Sequence, residues 1–345
     1  MNRDRFPGLA GGWARLDGPA GTQMVDTAID AMAEFMRSGR GANHGGAFAA
    51  AHATDECVAD ARAAVARLLG AESRGVAFGP SMTAMTMRLS AAVGRTLRPG
   101  DEVVCTRIDH DANVRPWVIA AGRAGAVVRF AEPEPDTLAL PAANVEAVLS
   151  ERTRWVAVTA ASNAMGAVPD LPGIIAAAHA TGARVSVDAV HAAPHRPLDL
   201  AALGCDTLAC SAYKWFGPHV GILCAAPALL EELAPDKLLP SPDEAPDRAP
   251  TLMFNVAGRT STEVAAALAG REIAVWDGNY YAWELERLLG LDAAGSGRGG
   301  GAVRAGFVHY NDEDDVERLV GAVAEVAAGA GPRMPAAASA QDPPA

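Results

Sequence analysis

Val185-Ser-Val-Asp188-Ala-Val-His191 and, shortly after it, Cys210-Ser-Ala-Tyr-Lys214-Trp-Phe-Gly-Pro-His-Val-Gly-Ile-Leu-Cys-Ala225 decide how this chain is read. Each begins as a short apolar run and ends on ionisable side chains. A lysine at the end of an apolar strand stands where burial lowers its pKa, and a neutral amine condenses with an aldehyde to give a Schiff base. Asp188, 26 residues before Lys214 and at the end of a neighbouring strand, is placed to keep a pyridine nitrogen protonated. An aldehyde borne on a pyridine ring satisfies both groups at once.

Outward from this pair, strands alternate with helices from residue 76 to 225, the pattern of βαβ units and a mainly parallel sheet with ligand groups at the strand ends. Ser81, His110, Asn163, Asp188 and Lys214 all fall just past predicted strands. Val76-Ala-Phe-Gly-Pro-Ser81-Met82-Thr83 reads as strand, tight turn and helix start, where free N–H groups and the helix dipole favour an anion. Ser81, Met82 and Thr83 are therefore phosphate candidates, the alternative being an ordinary N-cap. Before this region, residues 13–23 read as a short strand running into a Gly/Pro turn, with helices over 25–36 and 56–69.

The wording Asp188-x-x-His191…Ser211-x-Tyr213-Lys214 resembles the class V aminotransferases, in particular the cysteine desulfurases and their desulfurase-like relatives, over roughly residues 5–225 and 251–325. Asp109-His110-Asp111-Ala112-Asn113 resembles the same family's histidine motif. The resemblance implies the fold type I of pyridoxal 5'-phosphate (PLP) enzymes: a mainly parallel sheet between helices, followed by a small α+β domain. It implies that Lys214 carries PLP and acts as acid and base, that Asp188 holds the pyridinium, and that His110 stacks on the ring. It further implies that His191 bonds the phenolic oxygen and that Ser211 and Tyr213 join Ser81, Met82 and Thr83 on the phosphate. Asn163, unless merely turn-forming, would contact the ring oxygen and the substrate carboxylate. Arg304 would grip that carboxylate with its planar fork, the alternative being a surface arginine. A homodimer and a small amino-acid substrate are implied as well.

Two departures bear on the reaction. The desulfurases carry a nucleophilic cysteine on a loop of the small domain, and the matching stretch here, Trp276-Asp-Gly-Asn-Tyr-Tyr281-Ala, has Tyr281 at that place. No cysteine follows Cys224, so transfer of sulfur to a thiol of that domain has no acceptor. In addition, only a Pro-rich stretch with six prolines, residues 225–250, stands where the family has more sheet, a partner-facing loop and a long helix. The expectation is a desulfurase-like C–S lyase or related elimination enzyme, with an aminotransferase or epimerase, or a PLP-binding protein with little catalysis, as alternatives.

The expected organisation is an N-terminal segment 1–25 beside the cofactor cleft, a large domain 26–225, a linker 226–250, a small domain 251–329 and a disordered tail 330–345. Strands are expected over 252–256, 273–276 and 302–308, and helices over 262–269, 280–289 and 313–328. Gly295-Ser-Gly-Arg-Gly-Gly300 satisfies the spacing of a dinucleotide fingerprint but lies between a helix and a strand, the reverse of the required order, and reads as a loop. A net charge of −12 argues against nucleic acid or an anionic membrane as partner. The absence of a leader-like or membrane-length apolar run gives the expectation of a cytosolic protein. Five scattered cysteines without a Cys-x-x-Cys fit reduced thiols rather than a disulfide or zinc framework, and no metal is expected.

Overall fold

The computed structural model of the chain describes residues 2–43, 46–233, 251–280, 282, 291, 300–306, 308 and 310–329. The chain divides into two compact units, residues 1–34 with 58–236, and residues 35–57 with 237–345. Residues 35–57, assigned to the large domain from the sequence, thus cluster with the C-terminal part.

The first unit is built on a seven-stranded sheet. Its strands are β1 (Val76–Gly79), β2 (Glu102–Thr106), β3 (Val127–Ala131), β4 (Thr153–Thr159), β5 (Arg184–Asp188), β6 (Thr207–Ser211) and β7 (Gly221–Ala225). They lie in the order β1-β7-β6-β5-β4-β2-β3. The pairs from β3 through β6 are parallel, and β7 alone is reversed, antiparallel to both β6 and β1. The ends of β1, β2, β4, β5 and β6 consequently meet along one edge.

The strands are apolar on both faces because both are covered. Val104, Val156, Val158, Val185, Val187, Leu208 and Ile222 belong to one core cluster, and the alternate residues Val103, Cys105, Trp155, Ala157, Ala209 and Leu223 to another. Helices α1 (Asp26–Arg37), α2 (Ala49–Leu69), α3 (Met82–Gly94), α4 (Arg115–Ala124), α5 (Ala142–Glu146), α6 (Leu171–Ala180), α7 (Leu200–Leu203) and α8 (Pro227–Leu233) follow in chain order. Ile174 and Ile175 of α6 enter the first cluster, and Met85, Leu89 and Val93 of α3 with Trp117 of α4 enter the second. Gly221 makes one close approach possible: a Cβ there would lie 2.1 Å from the Ser81 carbonyl carbon, so β7 passes beneath the β1–α3 turn only without a side chain.

At the opposite edge of the sheet, Glu102 begins β2 with 1% exposure. Arg129 reaches its Oε1 at 2.9 Å, Arg152 at 2.9 Å, and the Ser150 hydroxyl donates to Oε2 at 2.7 Å. The Arg129 guanidinium first, with Ser150 and Arg152, holds this carboxyl down at about 2 against the opposing effect of burial.

The second unit contains a three-stranded antiparallel sheet in the order β8-β10-β9, formed by β8 (Thr251–Phe254), β9 (Trp276–Gly278) and β10 (Ala302–Gly306). Helices α9 (Ser261–Ala269) and α10 (Glu313–Ala327) supply Val264, Leu268, Leu319 and Val326 to its core beside Val303 and Ala305. A capping box between Thr260 and Glu263 starts α9.

Several element boundaries differ from the sequence reading. Residues 13–23 form no strand; Thr22 and Val25 instead donate their N–H groups to the carbonyls of Tyr213 and Phe216 in the lysine loop. The helix expected over 56–69 begins at Ala49, and α5 ends at Glu146, where the chain tightens into i→i+3 bonds at Val148 and Leu149. Part of the Pro-rich linker, Pro227–Leu233, is helical with Leu229 and Leu233 buried. Residues 234–250, Tyr281, most of the helix over 280–289, residues 295–299 of the glycine loop and the tail lie outside the described residues. Among the described residues no helix is long and apolar enough to cross a membrane.

Candidate functional site

Five strand ends on one edge of a parallel sheet leave a crevice there. It holds a cleft of about 460 Å3 including its open mouth, lined by Met82, Thr83, His110, Asn163, Asp188, His191, Ser211, Tyr213 and Lys214 among others. These are nine of the residues singled out from the sequence, carried by β2, β4, β5, β6 and the start of α3.

Asp188 closes β5 with 4% exposure, and its Oδ1 accepts from the Val190 N–H at 2.8 Å. Burial pushes its carboxyl up to about 7, while the Val190 N–H and the nearby Lys214 ammonium pull it down. Lys214 follows β6 on the one-turn helix Ala212–Lys214. Burial lowers its pKa and Asp188 opposes that shift, so the two groups sense each other across the cleft. The lysine Nζ donates to the carbonyl of Pro19.

The α3 N-terminus is organised by two serines. Ser81 Oγ accepts from Ala84 N–H at 3.2 Å as the N-cap, and Met82 N–H donates to Ser211 Oγ at 2.9 Å. Thr83 lines the cleft just inside. Tyr213 lies 4.3 Å from the His219 ring, nearly parallel to it, with Lys214 Nζ 5.3 Å from the Tyr213 ring centre. His110 is exposed, and its Nδ1 accepts from the Ala112 N–H at 3.0 Å, which leaves Nε2 as the ring nitrogen carrying hydrogen. His191 meets His195 edge to face at 5.4 Å; burial, with His195 and Lys214, lowers its pKa.

Arg304 lies in the second unit, on β10, its guanidinium 4.5 Å from the Tyr280 ring centre. It is not among the residues lining the cleft.

The sequence reading passed over Pro19, which lines the cleft, and gave no role to Asp109. Asp109 accepts from the Thr106 hydroxyl and from Asn113 Nδ2 at 2.7 Å. Burial pushes its carboxyl up to about 7 in spite of these bonds, with Asp188 adding to the rise. The acid preceding His110 was visible as part of the motif; nothing local connects Pro19 with a lysine 195 positions later.

A PLP molecule fits this donor set. A buried carboxylate with one oxygen committed to a main-chain N–H, an amine of lowered pKa and a helix start are the groups its ring nitrogen, aldehyde and phosphate require. Among the described residues no group of His, Cys, Asp and Glu is arranged to hold a metal ion.

The family model of class V aminotransferases matches residues 14–241 and 237–319. An uncharacterized protein of Mycobacterium tuberculosis is 37% identical over 222 residues, covering 64% of this chain and 55% of its own length. A cysteine desulfurase of Escherichia coli is 34% identical over 231 residues with the same shares. The chain thus spans about half the length of the curated relatives it matches. The solved cysteine desulfurase CsdA of Escherichia coli is similar with a TM-score of 0.60 at 25% identity, covering 95% of this chain and 98% of that one. A cysteine desulfurase from Thermococcus onnurineus NA1 shares the fold with a TM-score of 0.64 at 22% identity, covering 95% and 97%. With its strand order, the family model over most of its length and these relatives in agreement, the chain belongs to the class V aminotransferase family, on its cysteine desulfurase-like side.

Proposed function

We propose that the chain is a PLP-dependent enzyme acting on a small amino acid, a desulfurase-like lyase that breaks a bond at the β-carbon. The observation that carries this is the meeting of Lys214 and Asp188 in one cleft beside the α3 N-terminus. When bound, PLP supplies an aldehyde for the lysine and a protonated ring that draws electron density from the substrate α-carbon.

With PLP bound, Lys214 would hold its aldehyde, and its Nζ would be the group that takes the substrate α-proton, a task that burial, by lowering its pKa, favours. Asp188 would hold the ring nitrogen in its protonated form, and its burial would keep water from competing for that bond. His110 covers one face of the ring and His191 donates to the phenolic oxygen. Ser81, Met82, Thr83, Ser211 and Tyr213 would hold the phosphate, while Asn163 would take the substrate carboxylate. Tyr281 stands where the family's thiol would be, so the sulfur would leave the β-carbon with the electron pair of its bond and pass to solvent as sulfide. A homodimer in the cytosol is part of this proposal.

Spectra of purified protein test it. An absorbance of lysine-bound PLP that shifts with particular amino acids and disappears in Lys214→Ala is expected. A wild-type chain that takes up no PLP would refute it. One observation favours a second reading, a PLP-binding protein of low turnover: Tyr281 stands where the family's nucleophilic cysteine would be. Colour that no amino acid perturbs would select that reading.

A further inference from the structure

Gly21-Thr22-Gln23, part of the Gly/Pro turn region near the N-terminus, has no task in the proposed chemistry, yet it meets the lysine loop at its centre. Thr22 Oγ1 donates to the Tyr213 carbonyl at 3.0 Å and accepts from the Phe216 N–H at 2.8 Å. The Thr22 N–H donates to the same Tyr213 carbonyl at 2.9 Å, and the Val25 N–H to the Phe216 carbonyl at 3.0 Å. Gly21 lies against the Tyr213 ring, where a Cβ would come within 3.5 Å.

The residue held by the hydroxyl is strained. Phe216 has φ +74°, a left-handed conformation that costs a non-glycine residue energy and persists only where neighbours over-determine it. Thr22 holds its N–H, Val25 its carbonyl, and Phe6 meets its ring edge to face at 5.3 Å. Lys214 lies between the two main-chain groups that the Thr22 hydroxyl bridges. A single hydroxyl has one hydrogen to donate and lone pairs to accept with, and here both capacities are used.

We propose that Thr22 is the positioning residue of Lys214: its hydroxyl clamps the main chain before and after the lysine and so delivers the amine to the Pro19 carbonyl at the cleft. The inference rests on Lys214 being the functional amine and goes beyond that assignment by naming what aims it. Thr22→Val keeps the size and removes both bonds; Thr22→Ser keeps both.

In the cofactor-free protein, the rate at which an amine-selective acylating reagent labels Lys214, read by peptide mass spectrometry against pH, reports its environment. In Thr22→Val the labelling curve is expected to move to higher pH, towards that of an ordinary solvated lysine, and added PLP to be retained about tenfold less well. Thr22→Ser restores both. Identical labelling curves for wild type and Thr22→Val, or no rescue by serine, would overturn the proposal.

The labelling needs no PLP, so a wild-type chain that fails to take up PLP refutes the proposed function while the role of Thr22 is still decided. Should Thr22→Val not fold, amide exchange of the wild-type protein decides instead. The Thr22 and Phe216 amides are expected to exchange together at one slow rate, and a freely exchanging Phe216 amide would refute the clamp.

Discussion

Two buried carboxylates at opposite edges of the same sheet have opposite fates. Glu102, at the start of β2, is met by two arginines and a serine and is held ionised down to about 2. Asp188, at the end of β5, has one main-chain donor and Lys214 across the cleft, and burial keeps it protonated up to about 7. The difference separates a group that holds the fold together from one left short of partners within the chain. A deficit of this kind at a strand end is what a cationic heterocycle would fill.

Asp188→Asn is the strongest way to break the contrast. PLP retention and turnover are expected to fall by roughly two orders of magnitude, since a group aimed at developing charge is lost. At pH 8 the cofactor-free variant should melt no lower than wild type, because an uncompensated buried charge has been removed. A Tm that drops as far as in the Glu102 variant would erase the distinction.

Glu102→Gln leaves Arg129 and Arg152 facing a neutral amide at the start of β2. A loss on the order of 2 kcal/mol is expected, because charge-assisted bonds to a buried carboxylate are lost while both arginines, about half exposed, stay solvated, with PLP affinity per folded molecule unchanged. Denaturant unfolding measures the first and a spectral titration the second.

The pH dependence of stability sharpens the comparison. Glu102 has its carboxyl lowered by folding, so its contribution is complete above the ordinary carboxylate range and is lost as pH falls through about 2. Asp188 and Asp109 have theirs raised, so the native state binds more protons than the unfolded chain, and stability falls as pH climbs from about 4 to about 7. The unfolding free energy of the cofactor-free protein across pH 2–8 should rise and then decline, and Asp188→Asn should flatten the decline while leaving the acid limb intact. The smallest effect is expected from Ser150→Ala, which removes one charge-assisted bond to Glu102 and costs roughly 1.5 kcal/mol by chemical denaturation.

Much of this was legible in the chain itself. Apolar residues at consecutive positions of β2, β4, β5 and β6 announce strands covered on both faces, and the polar residues that follow them mark one functional edge. Burial and periodicity are written locally, so a one-dimensional pattern carries them. The N-cap at Ser81 was equally visible, although only the structure turns Met82 N–H towards Ser211, 129 residues away.

What amino-acid order determined by itself was the class of fold, the alternation that builds it, and the lysine and aspartate that its strand ends present. Tertiary structure alone decided that β7 runs backwards, that residues 35–57 cluster with the C-terminal unit, that Asp109 lies near enough to Asp188 to raise its pKa, and that Thr22 and Pro19 close on the lysine loop. The reason is the range of the interaction. A helix or strand is selected by neighbours a few positions away, whereas a hydroxyl that bridges carbonyl 213 and amide 216 from position 22 leaves no trace in either stretch until the chain has folded.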